Sequence, residues 1–121
     1  MMVLNVGDKV HVVERRYFEE DIRRHFVGEV IAYSDHALRV KGHVWVLDKL
    51  TREFVRRPEE RERVIFPGDR LIVNIIPNDT NLDEIKYVSS PQKGIVVTDG
   101  KKYTLDLSEF LDVGDFTIVR K

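Results

Sequence analysis

Arg39, Lys41 and His43 alternate along the run Leu38-Arg39-Val40-Lys41-Gly42-His43. In an extended strand, residues two apart share a face, so these three basic side chains would stand in a row. Charge for phosphates beside a ring face for a base is what a single-stranded nucleic acid requires. Tyr33 and Trp45 could supply the rings. Arg52, Arg56 and Arg57 follow, and from Arg15 to Arg57 there are ten basic residues against seven acidic ones. The same pattern also fits a half-buried strand with a solvated basic face and Trp45 in the core. The whole chain carries a formal charge of −1, from 20 basic and 21 acidic residues. That balance argues against coating nucleic acid by bulk charge and leaves a local face as the only route.

Other chemistries are weaker in the sequence. His11, His25, His36 and His43 have no paired metal-ligand spacing, so neither a metal site nor a cofactor is expected, and they read as surface or hydrogen-bonded residues. The absence of cysteine excludes a disulfide framework, a thiolate zinc site and a cysteine nucleophile. Asp99, Asp106, Glu109 and Asp112 crowd together near the C-terminus. Paired carboxylates can do acid–base work or hold a divalent ion, but only in a cleft. The expected role is a non-catalytic binding or assembly module. The alternatives are a small metal-dependent phosphohydrolase using those carboxylates, or a purely protein–protein interaction domain.

The elements that must position these residues are strands. Phe26 to Leu47 is the organising stretch. Gly28 permits a bend or a close backbone approach. Val30, Ala32 and Ser34 would face one way and Glu29, Ile31 and Tyr33 the other. Ser34-Asp35-His36-Ala37 turns the chain, Leu38 to Lys41 returns, Gly42 interrupts, and His43 to Leu47 resumes as a run apolar on both faces. Upstream, Phe18, Ile22 and Phe26 have helical spacing, but no N-cap precedes Tyr17, which favours a loop with a helical turn over Glu14 to His25. Asp48 to Arg63 fits either a helix through Leu47, Leu50 and Phe54, or a hairpin returning Glu53 to Arg56 onto Val44 to Leu47. Pro58 ends either one, and Glu59 to Arg63 reads as a solvated charge run.

Three Gly-Asp pairs, Gly7-Asp8, Gly68-Asp69 and Gly114-Asp115, mark turns before strands. Val64 to Phe66 and Leu71 to Ile76 flank the second of them. Pro77 to Asn81 is a loop, Asp83 to Tyr87 a strand or helical turn, and Ser89 to Gly94 another loop. Asp99-Gly100 between Ile95–Thr98 and Lys101–Leu105 predicts a hairpin with a two-residue type I′ turn. Ser108 to Leu111 suggests one helical turn, and Phe116 to Arg120 a last strand. The apolar Leu71 to Ile76 run needs cover from the C-terminal segment or a neighbouring subunit, which predicts a homo-oligomer.

A chain of 121 residues fits a single domain, burying about two thirds of its unfolded surface. The expected division is a barrel core over residues 3–77 and a C-terminal extension over 83–121. No apolar run suits a signal peptide or membrane span, so a cytoplasmic protein without membrane contact is expected.

Phe26-x-Gly28-x-Val30-x-x-Tyr33, then Leu38-x-Val40, then Ile65-x-Pro67-Gly68-Asp69-x-Leu71-Ile72-Val73 resembles the two-part signature of Sm-like proteins over about residues 3–77. That family forms small five-stranded barrels that assemble into rings and bind RNA. The resemblance implies a mainly β fold, a small bent antiparallel SH3-like or Sm-like barrel with a C-terminal β-hairpin extension. It implies RNA as a partner, and together with the basic row on the strand it gives an expected RNA-binding set of Tyr33, Asp35, Arg39, Lys41, His43, Gly68 and Asp69. Asp35 stands one position later than the family's aspartate, and Pro67 stands where the family carries a basic residue. The tail from Tyr103 to Phe110 is also faintly similar to that of small barrel phosphohydrolases.

Overall fold

Alternating β-branched and aromatic residues decide this fold. The computed structural model describes residues 4–14, 23–68, 71–90 and 94–107. In it, β1 (Lys9–Glu14), β2 (Arg24–Tyr33), β3 (Leu38–Leu47), β4 (Phe54–Arg56), β5 (Arg61–Ile65) and β6 (Leu71–Ile76) form one antiparallel sheet. Its order is β4-β3-β2-β1-β6, with β5 also paired to β3. β7 (Lys86–Ser90), β8 (Gly94–Thr98) and β9 (Thr104–Asp106) form a second, three-stranded sheet. A 3-10 turn, Leu82–Glu84, precedes β7, and the Asn81 side chain caps it by accepting the Asp83 N–H at 3.0 Å. The chain is therefore mainly β: a small bent antiparallel domain with a C-terminal hairpin extension. The barrel is open, since among the described residues no ladder joins β5 to β6. No helix of the described residues is long and apolar enough to cross a membrane.

The first sheet buries both faces. Val10 and Val12 of β1, Phe26 and Val30 of β2, and Leu38, Val40 and Val44 of β3 close the first core with Leu4 and Ile65. The opposite faces of β2 and β3 supply Val27 and Trp45 to a second core, and β6 supplies Ile76. There they meet Ile85, Val97, Tyr103 and Leu107 of the C-terminal segment. The period-2 alternation of side chains sends neighbours such as Val44 and Trp45 to different cores. The C-terminal segment thus covers Ile76 within a single chain. The Lys9 ammonium adds a polar tie by donating to the Thr80 carbonyl.

Several local expectations are corrected. Gly42 does not interrupt its strand: β3 runs unbroken from Leu38 to Leu47. Gly42 sits directly opposite Gly28. A Cβ on Gly42 would lie 2.0 Å from the Val27 carbonyl oxygen, and one on Gly28 would lie 2.4 Å from that of Lys41. The two glycines are there because the strands cross too closely for side chains. The pairing shifts between Val30 and Ala32, so one face alternation does not hold through to Tyr33; a bulge re-aims the strand end. β2 already begins at Arg24, and Phe26 belongs to its sheet rather than to a helical face; Tyr17, Phe18 and Ile22 lie outside the described residues.

Of the two readings for Asp48 to Arg63, the hairpin is formed. Leu47 pairs with Phe54 and Val46 with Val55, around a turn in which Asp48 donates its N–H to Glu53 O at 2.9 Å and accepts Leu50 N–H at 2.9 Å. Glu59 to Arg63 is exposed as expected, although Arg61 onward belongs to β5. Ser89 and Ser90 continue β7 rather than forming a loop.

The C-terminal hairpin is present, but its turn is not the two-residue type. Thr98 pairs with Thr104 and Val97 with Leu105, leaving Asp99 to Tyr103 as the loop. A two-residue turn would place Lys102 opposite the fully buried Val97. The longer loop brings Leu105 there instead, and the hydrophobic register wins over the turn dipeptide. Asp99 Oδ1 holds the loop by accepting the N–H groups of Lys101 at 2.8 Å and Tyr103 at 3.0 Å. The expected elements at Ser108 to Leu111 and Phe116 to Arg120 lie outside the described residues, as do Asp69 and Gly114-Asp115.

Candidate functional site

The basic row on β3 is graded by depth. Arg39 and Lys41 are exposed, His43 is half-buried, and Trp45 is buried in the second core. Alternation along an unbroken strand produces this row. Beside it lies an open groove of ≈ 370 Å³, lined by Lys41, His43, Trp45, Arg56, Leu82 and Asp83 among others. Its charges are mixed. Lys41 stands 3.8 Å from Glu60, Arg56 stands 3.9 Å from Asp83, and Glu29 also lines the wall. Such exposed pairs contribute little to stability, but they offset the positive charge of the groove.

The remaining residues of the expected set lie at the β2–β3 turn. Tyr33 is 46% exposed at the end of β2, and Asp35 is exposed in the turn closed by the Ser34 N–H to Ala37 O bond of 2.9 Å. β5 runs antiparallel to β3 with Ile65 opposite Leu38. That register brings the chain leaving β5, with Gly68, toward the same end of the sheet. The structure therefore gathers Tyr33, Asp35, Arg39 and Gly68 at one end and places Lys41 and His43 farther along the groove. Asp69 lies outside the described residues.

A second constellation involves residues that sequence reasoning left scattered. His11 of β1 and His25 of β2 face the second core, diagonal to one another across the β1–β2 ladder, in which His11 pairs with Val27 and Val13 with His25. Tyr87 reaches them from β7. His11 Nε2 lies 3.0 Å from His25 Nδ1 and 3.0 Å from Tyr87 Oη, and His25 Nδ1 lies 2.8 Å from Tyr87 Oη. Asn74, directly opposite His11 on β6, brings its amide Nδ2 to 3.4 Å from His11 Nδ1. Aromatic rings wall the trio: Phe54 stacks on Tyr87 with centroids 4.4 Å apart, Trp45 lies 4.8 Å from Tyr87, and Phe54 lies 4.7 Å from His25. The sequence does carry one signal for this site. His11 interrupts the apolar run Val10-His11-Val12-Val13, and a polar group fully buried on such a strand needs a partner.

Burial sets the charge state of the trio. It pushes the His11 imidazolium down to about 4. Burial, then the neighbouring charges of His11 and Arg23, pushes His25 down to about 2. Burial, with Tyr103 adding a smaller contribution, raises the Tyr87 phenol well above its ordinary value. At neutral pH all three groups are therefore uncharged. The hydrogen-bond network assigns the tautomers. Asn74 donates to His11 Nδ1, so the His11 proton is on Nε2, to be given to Tyr87 Oη or to His25 Nδ1 but not fully to both. Tyr87 then donates to His25 Nδ1.

The C-terminal carboxylates are not gathered into a cleft among the described residues. Asp99 is occupied as the loop anchor, Asp106 is exposed on β9, and Glu109 and Asp112 lie outside the described residues. No cluster of three or more His, Asp or Glu groups suited to a metal ion occurs among the described residues. No family model matches the chain, and no curated protein or solved structure matches it.

Proposed function

We propose that this chain is a non-catalytic binding and assembly module that joins copies of itself edge to edge and takes single-stranded RNA at the β2–β3 turn end of its barrel. The observation that carries this reading is the pair of strand edges left without a ladder among the described residues: that of β6, which ends the sheet path, and that of β5, which pairs with β3 alone, off that path. Unpaired edges are templates for strand addition from another chain. Apolar side chains accompany both: Val64 is 50% exposed on β5, Phe66 is 67% exposed just after it, and Ile75 is 56% exposed on β6. An edge of one kind meeting an edge of the other makes a heterologous contact, which generates a ring when the rotation closes. Tyr33 offers a ring face at the turn end, and Arg39 offers charge next to it.

Light scattering on the purified chain tests assembly. A multiple of the monomer mass is expected, falling to the monomer in Val64→Lys with Ile75→Lys while the circular dichroism spectrum stays unchanged. A wild-type monomer at high protein concentration would overturn the assembly reading. For the ligand, titration with a single-stranded RNA oligomer should show an affinity that falls as salt rises and weakens in Arg39→Ala with Tyr33→Ala. Absence of binding even at low salt would remove RNA and leave the assembly role to stand alone.

A further inference from the structure

We propose that His11, His25 and Tyr87 form a binding site for one divalent transition-metal ion at the junction of the two sheets. His11 Nε2, His25 Nδ1 and Tyr87 Oη make a closed triangle with sides of 3.0, 3.0 and 2.8 Å. A neutral ring nitrogen carries either a proton or a lone pair, never both. Tyr87 has one proton to give, and only one of the two facing nitrogens can hold another if the pair is to avoid donor against donor. Two protons can fill two sides of the triangle, so hydrogen bonding leaves the third side as a bare contact between polar atoms. A metal ion accounts for all three sides at once. Donors about 2.1 Å from an ion and at right angles to one another are about 3.0 Å apart, and at tetrahedral angles about 3.4 Å apart. The observed triangle lies within a few tenths of an ångström of the tighter of these.

The donor chemistry selects the ion. Two imidazoles and a phenolate oxygen suit zinc, copper(II) and their first-row neighbours, whereas calcium and magnesium demand oxygen-rich shells. The second sphere is also present. With its Nε2 on a metal, His11 carries its proton on Nδ1, and the Asn74 amide turned by 180° presents its oxygen to that proton. Phe54 and Trp45 pack against the Tyr87 ring. The three ligands come from β1, β2 and β7, so an ion there would tie the C-terminal sheet to the barrel. The balance is simple: the Tyr87 O–H bond breaks, the oxygen bonds the ion, and the proton leaves to solvent.

Calorimetric titration of chelator-treated protein with zinc chloride tests the site. One ion per chain is expected, with about one proton released per ion bound, since both imidazoles are already neutral. Copper(II) should give a visible tyrosinate-to-metal charge-transfer band. Tyr87→Phe keeps the ring and removes only the oxygen; it should weaken zinc binding at least tenfold and abolish the copper band. His36→Ala, at an exposed turn, should bind as wild type does. The proposal is overturned if the wild-type chain binds neither ion, binds zinc without proton release, or binds it equally well as Tyr87→Phe.

Discussion

Two neutral histidines sealed between sheets make the pH response of this protein a property of single residues. His11 and His25 have folded-state values of about 4 and about 2, against about 6.5 in an unfolded chain. Below 6.5 the unfolded state binds protons that the folded state refuses. Their contribution to stability is complete above pH 6.5 and is lost as pH falls, from 6.5 toward 4 for His11 and toward 2 for His25. Each histidine contributes a slope of about 1.4 kcal/mol per pH unit in that window. Urea denaturation of the chelator-treated protein at pH 7, 6 and 5 should show the midpoint dropping steeply. The same series on His11→Asn with His25→Gln should be markedly flatter.

At the scale of elements, register decides what turn chemistry only suggests. Asp99-Gly100 is a strong hairpin signal, and a hairpin is there, but pairing Val97 with Leu105 overrides the two-residue turn. Leu105→Ala should therefore cost about 1–2 kcal/mol, as a partly buried side chain is removed from the second core. Lys102→Ala should change stability by no more than about 0.5 kcal/mol, because Lys102 sits exposed in the loop. Equal costs for the two in thermal or chemical denaturation would mean that the hairpin pairs in the shorter register. The strands themselves were legible, because the alternation in Leu38-Arg39-Val40-Lys41 has only one structural meaning. The interruption read at Gly42 was not borne out, since a glycine's local freedom says nothing of the Gly28 backbone lying across from it. The ambiguity at Asp48 to Arg63 was real, as Leu47, Leu50 and Phe54 satisfy a helix locally. The hairpin forms because it pairs Val55 with Val46 and brings Phe54 against His25 and Tyr87.

Across the whole molecule, one sheet serves two cores, and this makes the barrel and its extension a single cooperative unit. Ile76, fully buried at the end of β6, belongs to the second core along with Ile85, Val97 and Leu107. Ile76→Ala should destabilise the chain by about 2–5 kcal/mol, and both sheets should be lost in one transition. Tryptophan fluorescence reports Trp45 at the interface, and far-ultraviolet circular dichroism reports both sheets. Coincident curves are expected from the two probes, and separate transitions would show that the extension unfolds on its own.

The sequence by itself determined the mainly β class, the bent pair of strands around Phe26 to Leu47, the turn at Ser34 to Ala37 and the solvated basic row on β3. Each of these is written in local periodicity or in the stereochemistry of a few adjacent residues. It also raised the question of what covers Leu71 to Ile76, offering either the C-terminal segment or a neighbouring subunit. Only the tertiary structure decided that the cover on Ile76 comes from within the chain. Only the tertiary structure brought His11 and His25 against Tyr87, residues separated by 14 to 76 positions. Neither spacing matches any local motif. The contact exists because two strands of one sheet turn alternate residues toward a second sheet, and pairing between distant segments is invisible to periodicity along any one of them.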